Sequence, residues 1–152
     1  MESRDSNGRT PLMIASLDGH FDIVCLLLQS GAVVDSRNND GATALTVASS
    51  RGHMDIVHLL LQTGAALEAH TDDGKTPLML ASERGHADIV DVLLQSGAAV
   101  DFCDNRGWTL SKGELLIFVS VPKIQSHDKI KIRIEESRAS ILLSTLHLPM
   151  VI

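Results

Sequence analysis

Glycine recurs in this chain at intervals of thirty-three residues. Gly8, Gly41, Gly74 and Gly107 form one such series, Gly19, Gly52 and Gly85 a second, and Gly31, Gly64 and Gly97 a third. Aligned from Asp5, Asn38 and Thr71, three successive units carry the same residue in 15 of 33 columns. At average composition a three-way match falls in roughly one column in a hundred. A period of this length marks a supersecondary unit that stacks on its own copies, so the chain folds as an array rather than around one nonrepeating core.

Each unit spells two helices. Thr10-Pro11-Leu12 and Thr76-Pro77-Leu78 put a hydroxyl at the N-cap and proline at the first helical position, where the missing N–H costs nothing. Thr43-Ala44-Leu45 keeps the cap and substitutes a strong helix former. A short helix follows through Ala15-Ser16, Ala48-Ser49 or Ala81-Ser82 and must stop at Gly19, Gly52 or Gly85, where positive φ is expected. The second helix is more apolar, as in Ile23-Val24-Cys25-Leu26-Leu27-Leu28, Ile56-Val57-His58-Leu59-Leu60-Leu61 and Ile89-Val90-Asp91-Val92-Leu93-Leu94. Its apolar residues cover most of the circumference, which predicts packing on more than one side. Gly31, Gly64 and Gly97 are expected to cap it. An extended segment then leads to the turns Asn39-Asp40-Gly41 and Asp72-Asp73-Gly74, where aspartate is expected to bond to the backbone.

This pattern resembles the ankyrin repeat, a β-turn finger followed by two antiparallel helices with a TPLHxA signature at the first. The resemblance implies an all-α solenoid of stacked helix-turn-helix repeats with β-turn fingers. The repeats span residues 5–37, 38–70 and 71–103, the start of a truncated fourth spans 104–110, and a non-repeat tail, strand-prone or disordered, spans 111–152. Met13, Thr46 and Met79 stand where the signature has histidine. The bond that histidine usually makes to threonine is therefore absent or remade, with a small loss of stability and no change of fold. A single unit cannot bury its own apolar helix, and about three units are the minimum for a stable stack. This array sits near that threshold.

The repeat breaks off inside its fourth copy, after Asp104-Asn105-Arg106-Gly107-Trp108-Thr109-Leu110. Beyond it lie an apolar run, Leu115–Val119, and a strict alternation, Lys129-Ile130-Lys131-Ile132-Arg133-Ile134-Glu135, that reads as a strand with one apolar face. Two readings stand. The tail folds back as a cap over the third repeat, or it is sequence not selected for this fold; the break within a repeat favours the second.

Composition narrows the function. The chain is 44% hydrophobic with three Phe, one Trp and no Tyr, so its core is built from Leu, Ile, Val and Ala. Residues 1–107 hold 7 Lys/Arg and 15 Asp/Glu, a net of −8, which repels phosphate and speaks against nucleic acid as the principal ligand. Cys25 and Cys103 are the only cysteines, with no CxxC pair, as expected in a reducing compartment. The N-terminal ten residues lack an apolar signal segment, and Leu115–Val119 is too short to span a bilayer, so no membrane insertion is expected. These features suit a soluble cytoplasmic or nuclear protein.

No constellation carries chemistry. His20, His53 and His86 recur with the period, but stacked helices lie about 8–10 Å apart and cannot share a zinc ion bound at about 2 Å. They are expected to hydrogen-bond between helix and finger. Asp22, Asp55 and Asp88 open the second helices, where negative charge suits the helix dipole. Phosphate-cradling loops, nucleotide fingerprints and catalytic triads are missing, so neither cofactor nor metal is expected and the chain reads as a non-enzyme.

Variation between units is left to carry function. In a repeat array the invariant columns build the stack, and columns that differ are free to face a ligand. By the family resemblance these line a concave groove that receives a protein partner. The candidates are Arg9, Leu17, Asp18 and Arg37 in the first unit; Asp40, Ser50, Arg51 and His70 in the second; Asp73, Lys75, Glu83 and Arg84 in the third; and Arg106 and Trp108 beyond it. Asn7, Ala42 and Cys103 belong to the same varying columns. Arg51 and Trp108 weigh most, since Arg and Trp are enriched at binding hot spots, although Trp108 could equally cover the end of the stack. The alternative is a truncated isoform or fragment of a longer ankyrin-repeat protein with no binding role of its own. If the tail is unselected, cutting the chain after Thr109 will leave the melting midpoint nearly unchanged and improve solubility. Strong amide protection across Lys129–Glu135, lost together with that of the third repeat, would instead make the tail a cap.

Overall fold

The computed structural model describes residues 3–100 and 104–105, and the backbone of 114–115 and 132–133. Six helices form the array: α1 Pro11–Asp18, α2 Phe21–Gln29, α3 Ala44–Arg51, α4 Met54–Gln62, α5 Pro77–Arg84 and α6 Ala87–Gln95. The pairs α1–α2, α3–α4 and α5–α6 each form one all-α repeat. Of the tail, only a two-residue antiparallel pairing is described, Glu114–Leu115 (β1) with Ile132–Arg133 (β2). The remainder of the expected fold-back strands lies outside the described residues.

The helix starts and stops follow from their residues. Thr10, Thr43 and Thr76 are N-caps whose hydroxyls accept the backbone N–H of Met13, Thr46 and Met79. The missing signature histidine is remade only once. Thr46 accepts the Thr43 N–H and donates to the Thr43 carbonyl, both at 2.7 Å, closing a capping box. Met13 and Met79 at the same position are buried in the core instead. Gly19, Gly52 and Gly85 end the first helices with φ of 80°, 86° and 78°. For the second helices the caps are Ser30, Thr63 and Ser96, and the glycine lies one residue further on. There the N–H groups of Ala32, Ala65 and Ala98 reach back to Leu27, Leu60 and Leu93, the backbone pattern of a left-handed helix stop.

Packing runs between repeats. The first helices, α1, α3 and α5, pack on one another more extensively than the second helices do and form the inner side of the stack. Small side chains permit this. Ala15, Ala48 and Ala81 with Ser16, Ser49 and Ser82 are all buried along the inner helices. Ser82 donates to the Leu78 carbonyl at 2.8 Å, whereas the buried hydroxyls of Ser16 and Ser49 find no partner. Behind them Leu12, Leu45 and Leu78, then Val24, Val57 and Val90, then Leu60 and Leu93 continue the core through all three repeats.

The expectation that every second helix packs on more than one side holds for α4 and α6 and fails for α2. Ile56 and Ile89 are 1% and 2% exposed, but Ile23 in the same column is 48% exposed, with Leu26 at 62%. In α4 and α6 that column faces the preceding repeat; α2 has no such neighbour among the described residues. Leu60 is fully enclosed at the centre of the array. Leu60→Ala should therefore cost on the order of 2–5 kcal/mol and abolish cooperative unfolding of this short stack. An unchanged melting midpoint would contradict its place in the core.

Candidate protein-binding surface

The fingers form a ladder at the thirty-three-residue step. The N–H groups of Asn39, Asp72 and Asn105 donate to the carbonyls of Asn7, Asp40 and Asp73 at 3.0, 2.8 and 2.9 Å. Each finger is closed from inside by its first residue. Asp5 accepts the N–H groups of Asn7 and Arg9, Asn38 those of Asp40 and Ala42, and Thr71 that of Lys75. The turn-closing role expected of Asp72 and Asp73 thus falls to Thr71 at the start of the same turn. Gly8 and Gly41 have φ of 73° and 74°, and a Cβ there would collide with Asn39 and Asp72 of the next finger. Only glycine lets the fingers stack.

A second ladder ties helix to helix. His53 Nε2 donates to the Leu17 carbonyl and His86 Nε2 to the Ser50 carbonyl, both at 3.1 Å. These histidines therefore bind the inner helix of the preceding repeat rather than a finger, which corrects the sequence expectation. The His53 ring lies across Gly19 and the His86 ring across Gly52, where a Cβ would approach within 2.6 and 2.7 Å of the Cε1 atoms. Those glycines serve twice, as helix stops and as seats for the next ring.

Two further ties were not legible as such in the sequence. Arg4 donates to the Arg37 carbonyl at 2.6 Å, and Arg37 in turn to the His70 carbonyl at 2.5 Å. Asp35 accepts the Ala66 N–H at 2.9 Å and Glu68 the Ala99 N–H at 2.6 Å. Both pairs lie one period apart, which was the available signal, and of the four residues only Arg37 was read as a ligand-facing candidate.

Against this frame the candidate residues divide. Arg37 is exposed but tied into the stack, its Nε also donating to the Gly41 carbonyl at 3.0 Å. Ala42 is 7% exposed and forms floor, not a projecting contact. Arg9 pairs with Asp5 at 2.7 Å. This bond, followed by the backbone N–H of Arg9, holds the Asp5 carboxyl below the usual carboxylate range. Its contribution to the first finger is therefore present above the ordinary aspartate value and lost as pH falls through the lowered one. Lys75 pairs with Glu83 at 2.8 Å and so reaches from the finger base to the last turn of α5. The columns of Arg9, Ala42 and Lys75 and of Leu17, Ser50 and Glu83 consequently face each other across the inner side. Asp18, Arg51, Arg84, Asp40, Asp73 and His70 are exposed around this floor. Arg106, Trp108 and Cys103 lie outside the described residues.

Among the described residues no three His, Cys, Asp or Glu side chains are grouped to hold a metal ion. Within the same residues no helix is long and apolar enough to cross a membrane.

Comparison with known families agrees with this architecture. The model for ankyrin repeats in three copies matches residues 32–105, and the model for a single ankyrin repeat matches residues 7–39. The chain belongs to the ankyrin-repeat family, whose repeats are in general protein–protein interaction modules and typically non-enzymatic. A search of curated proteins found no match.

Replacing His53 with Ala should remove the tie to Leu17 and destabilise the array by about 0.5–1.5 kcal/mol, read as a lowered denaturant midpoint. Binding of any groove ligand should be unaffected while the variant is folded. Lost affinity without lost stability would place His53 among the contact residues instead.

Proposed function

We propose that this chain is an interaction module whose fingers and inner helices form a concave groove for a protein partner, with no reaction and no cofactor of its own. The ion pair of Lys75 with Glu83 carries the reading. It spans the inner side of the third repeat, so the columns in which the units differ lie next to one another on a scaffold whose invariant columns are consumed in stacking. Groove residues vary while Thr10, Thr43, Thr76, His53 and His86 do not, which is the division expected of a rigid platform with an adaptable face. The setting we propose is intracellular and soluble, in keeping with two cysteines outside any CxxC pair.

A photo-crosslinking residue placed at Arg84 on the inner side, and separately at His58 on the outer helix α4, distinguishes groove binding from other modes. The proposal expects a discrete protein adduct from position 84 and none from position 58. Combined Arg51→Ala, Glu83→Ala and Arg84→Ala should then weaken that partner at least tenfold with helical content unchanged. Adducts from position 58 alone would move the binding face to the outer helices.

A further inference from the structure

Six described side chains of the array are permanently cationic, and four are engaged by the chain itself. Arg4 and Arg37 bind carbonyls, Arg9 binds Asp5, and Lys75 binds Glu83. Arg51 and Arg84 alone have no hydrogen bond or ion pair among the described residues. They occupy the same column of successive repeats, the last residue of α3 and of α5, and both are exposed. Asp18, the last residue of α1, holds that column in the first repeat and is likewise exposed. One rim of the inner side therefore reads minus, plus, plus, one charge per repeat.

Resting on the groove reading above, we propose that this rim selects a partner segment in the polyproline II conformation with one basic and two acidic side chains at three-residue steps, in the order base, acid, acid from the first repeat to the third. Stacked helices lie about 8–10 Å apart, and three residues of a polyproline II chain complete one turn, returning to the same face after about 9 Å at roughly 3.1 Å each. Side chains spaced by three would thus meet Asp18, Arg51 and Arg84 in turn. Each arginine offers a planar fork matched to a carboxylate. A helical partner would present matching charges about seven residues apart, at 1.5 Å per residue, but needs a channel about 10–12 Å across. The Lys75–Glu83 bridge occupies the floor of the third repeat, which disfavours the wider helix. Beside Arg51 the floor falls to Ala42 and Ser50, the smallest pair of the three repeats, which seats a bulky residue next to the first acid. The net charge of −8 over residues 1–107 does not oppose this at close range. At physiological salt charges beyond about 8 Å are largely screened, while the arginine contacts act well inside that distance.

The test is selection of a random twelve-residue phage library against the full chain, repeated with R51E/R84E and with R51A/R84A. Circular dichroism and melting midpoints confirm that both variants are folded. The expected peptides carry two acids three residues apart with a base three residues beyond, and their synthetic versions bind the variants at least tenfold more weakly. A seven-residue spacing, or peptides indifferent to both variants yet lost on Ser50→Arg, would overturn this signature and leave the groove standing. Selected peptides insensitive to all three variants, or no selection at all, would overturn the signature and the groove together.

Discussion

Close approach of the inner helices is the condition on which the other contacts depend. It is set by residues with little or no side chain: Ala15, Ala48 and Ala81 between the helices, Gly19 and Gly52 under the histidine rings, Gly8 and Gly41 between the fingers. A methyl group added at the glycines would meet atoms of the next repeat within 2.7 Å. The neighbour would have to move, and the ladder bonds on either side would lengthen together. Hydrogen bonds at the finger tips, at His53 and at Asp35 are therefore consequences of one spacing and not separate sources of order. Their individual energies are modest; their common register is what makes the repeats a single body.

That shared spacing explains why the fold was legible in the sequence. Threonine caps, positive-φ glycines and the columns of Leu12, Val24 and Leu60 depend on local chemistry and on a repeated neighbour, both visible in one chain. What was misread depends on which neighbour a residue meets. His53 reads as a polar residue near a finger until the thirty-six-residue reach to Leu17 is known. Ile23 is identical in type to Ile56 and Ile89, and nothing in its own unit reveals that its column is left uncovered among the described residues.

The candidate surface was legible in part, for a related reason. Variation between units marks residues released from stacking, and Asp18, Arg51 and Arg84 are exposed as that logic requires. Arg37 and Ala42 stand in varying columns and yet also serve the stack. The guanidinium of Arg37 is spent on the His70 and Gly41 carbonyls, a task that Arg4 performs one repeat earlier with the same chemistry. Backbone carbonyls accept from arginine regardless of the residue that carries them, so a structural ladder can run through a column whose identities differ. Ala42 varies between Arg9 and Lys75 because its small size is the feature, not its contact.

The exposed column on α2 makes the first repeat easier to open than the second. Only Val24 is fully buried in that helix, against three residues each in α4 and α6. Opening the first repeat forfeits one interface, whereas opening the second forfeits two. Amides of α2 will therefore exchange with solvent sooner than those of α4. Asp18 sits on the less buried first repeat and Arg51 on the enclosed second one. A ligand reaching all three rim charges bridges these repeats, so its binding also suppresses opening of the first.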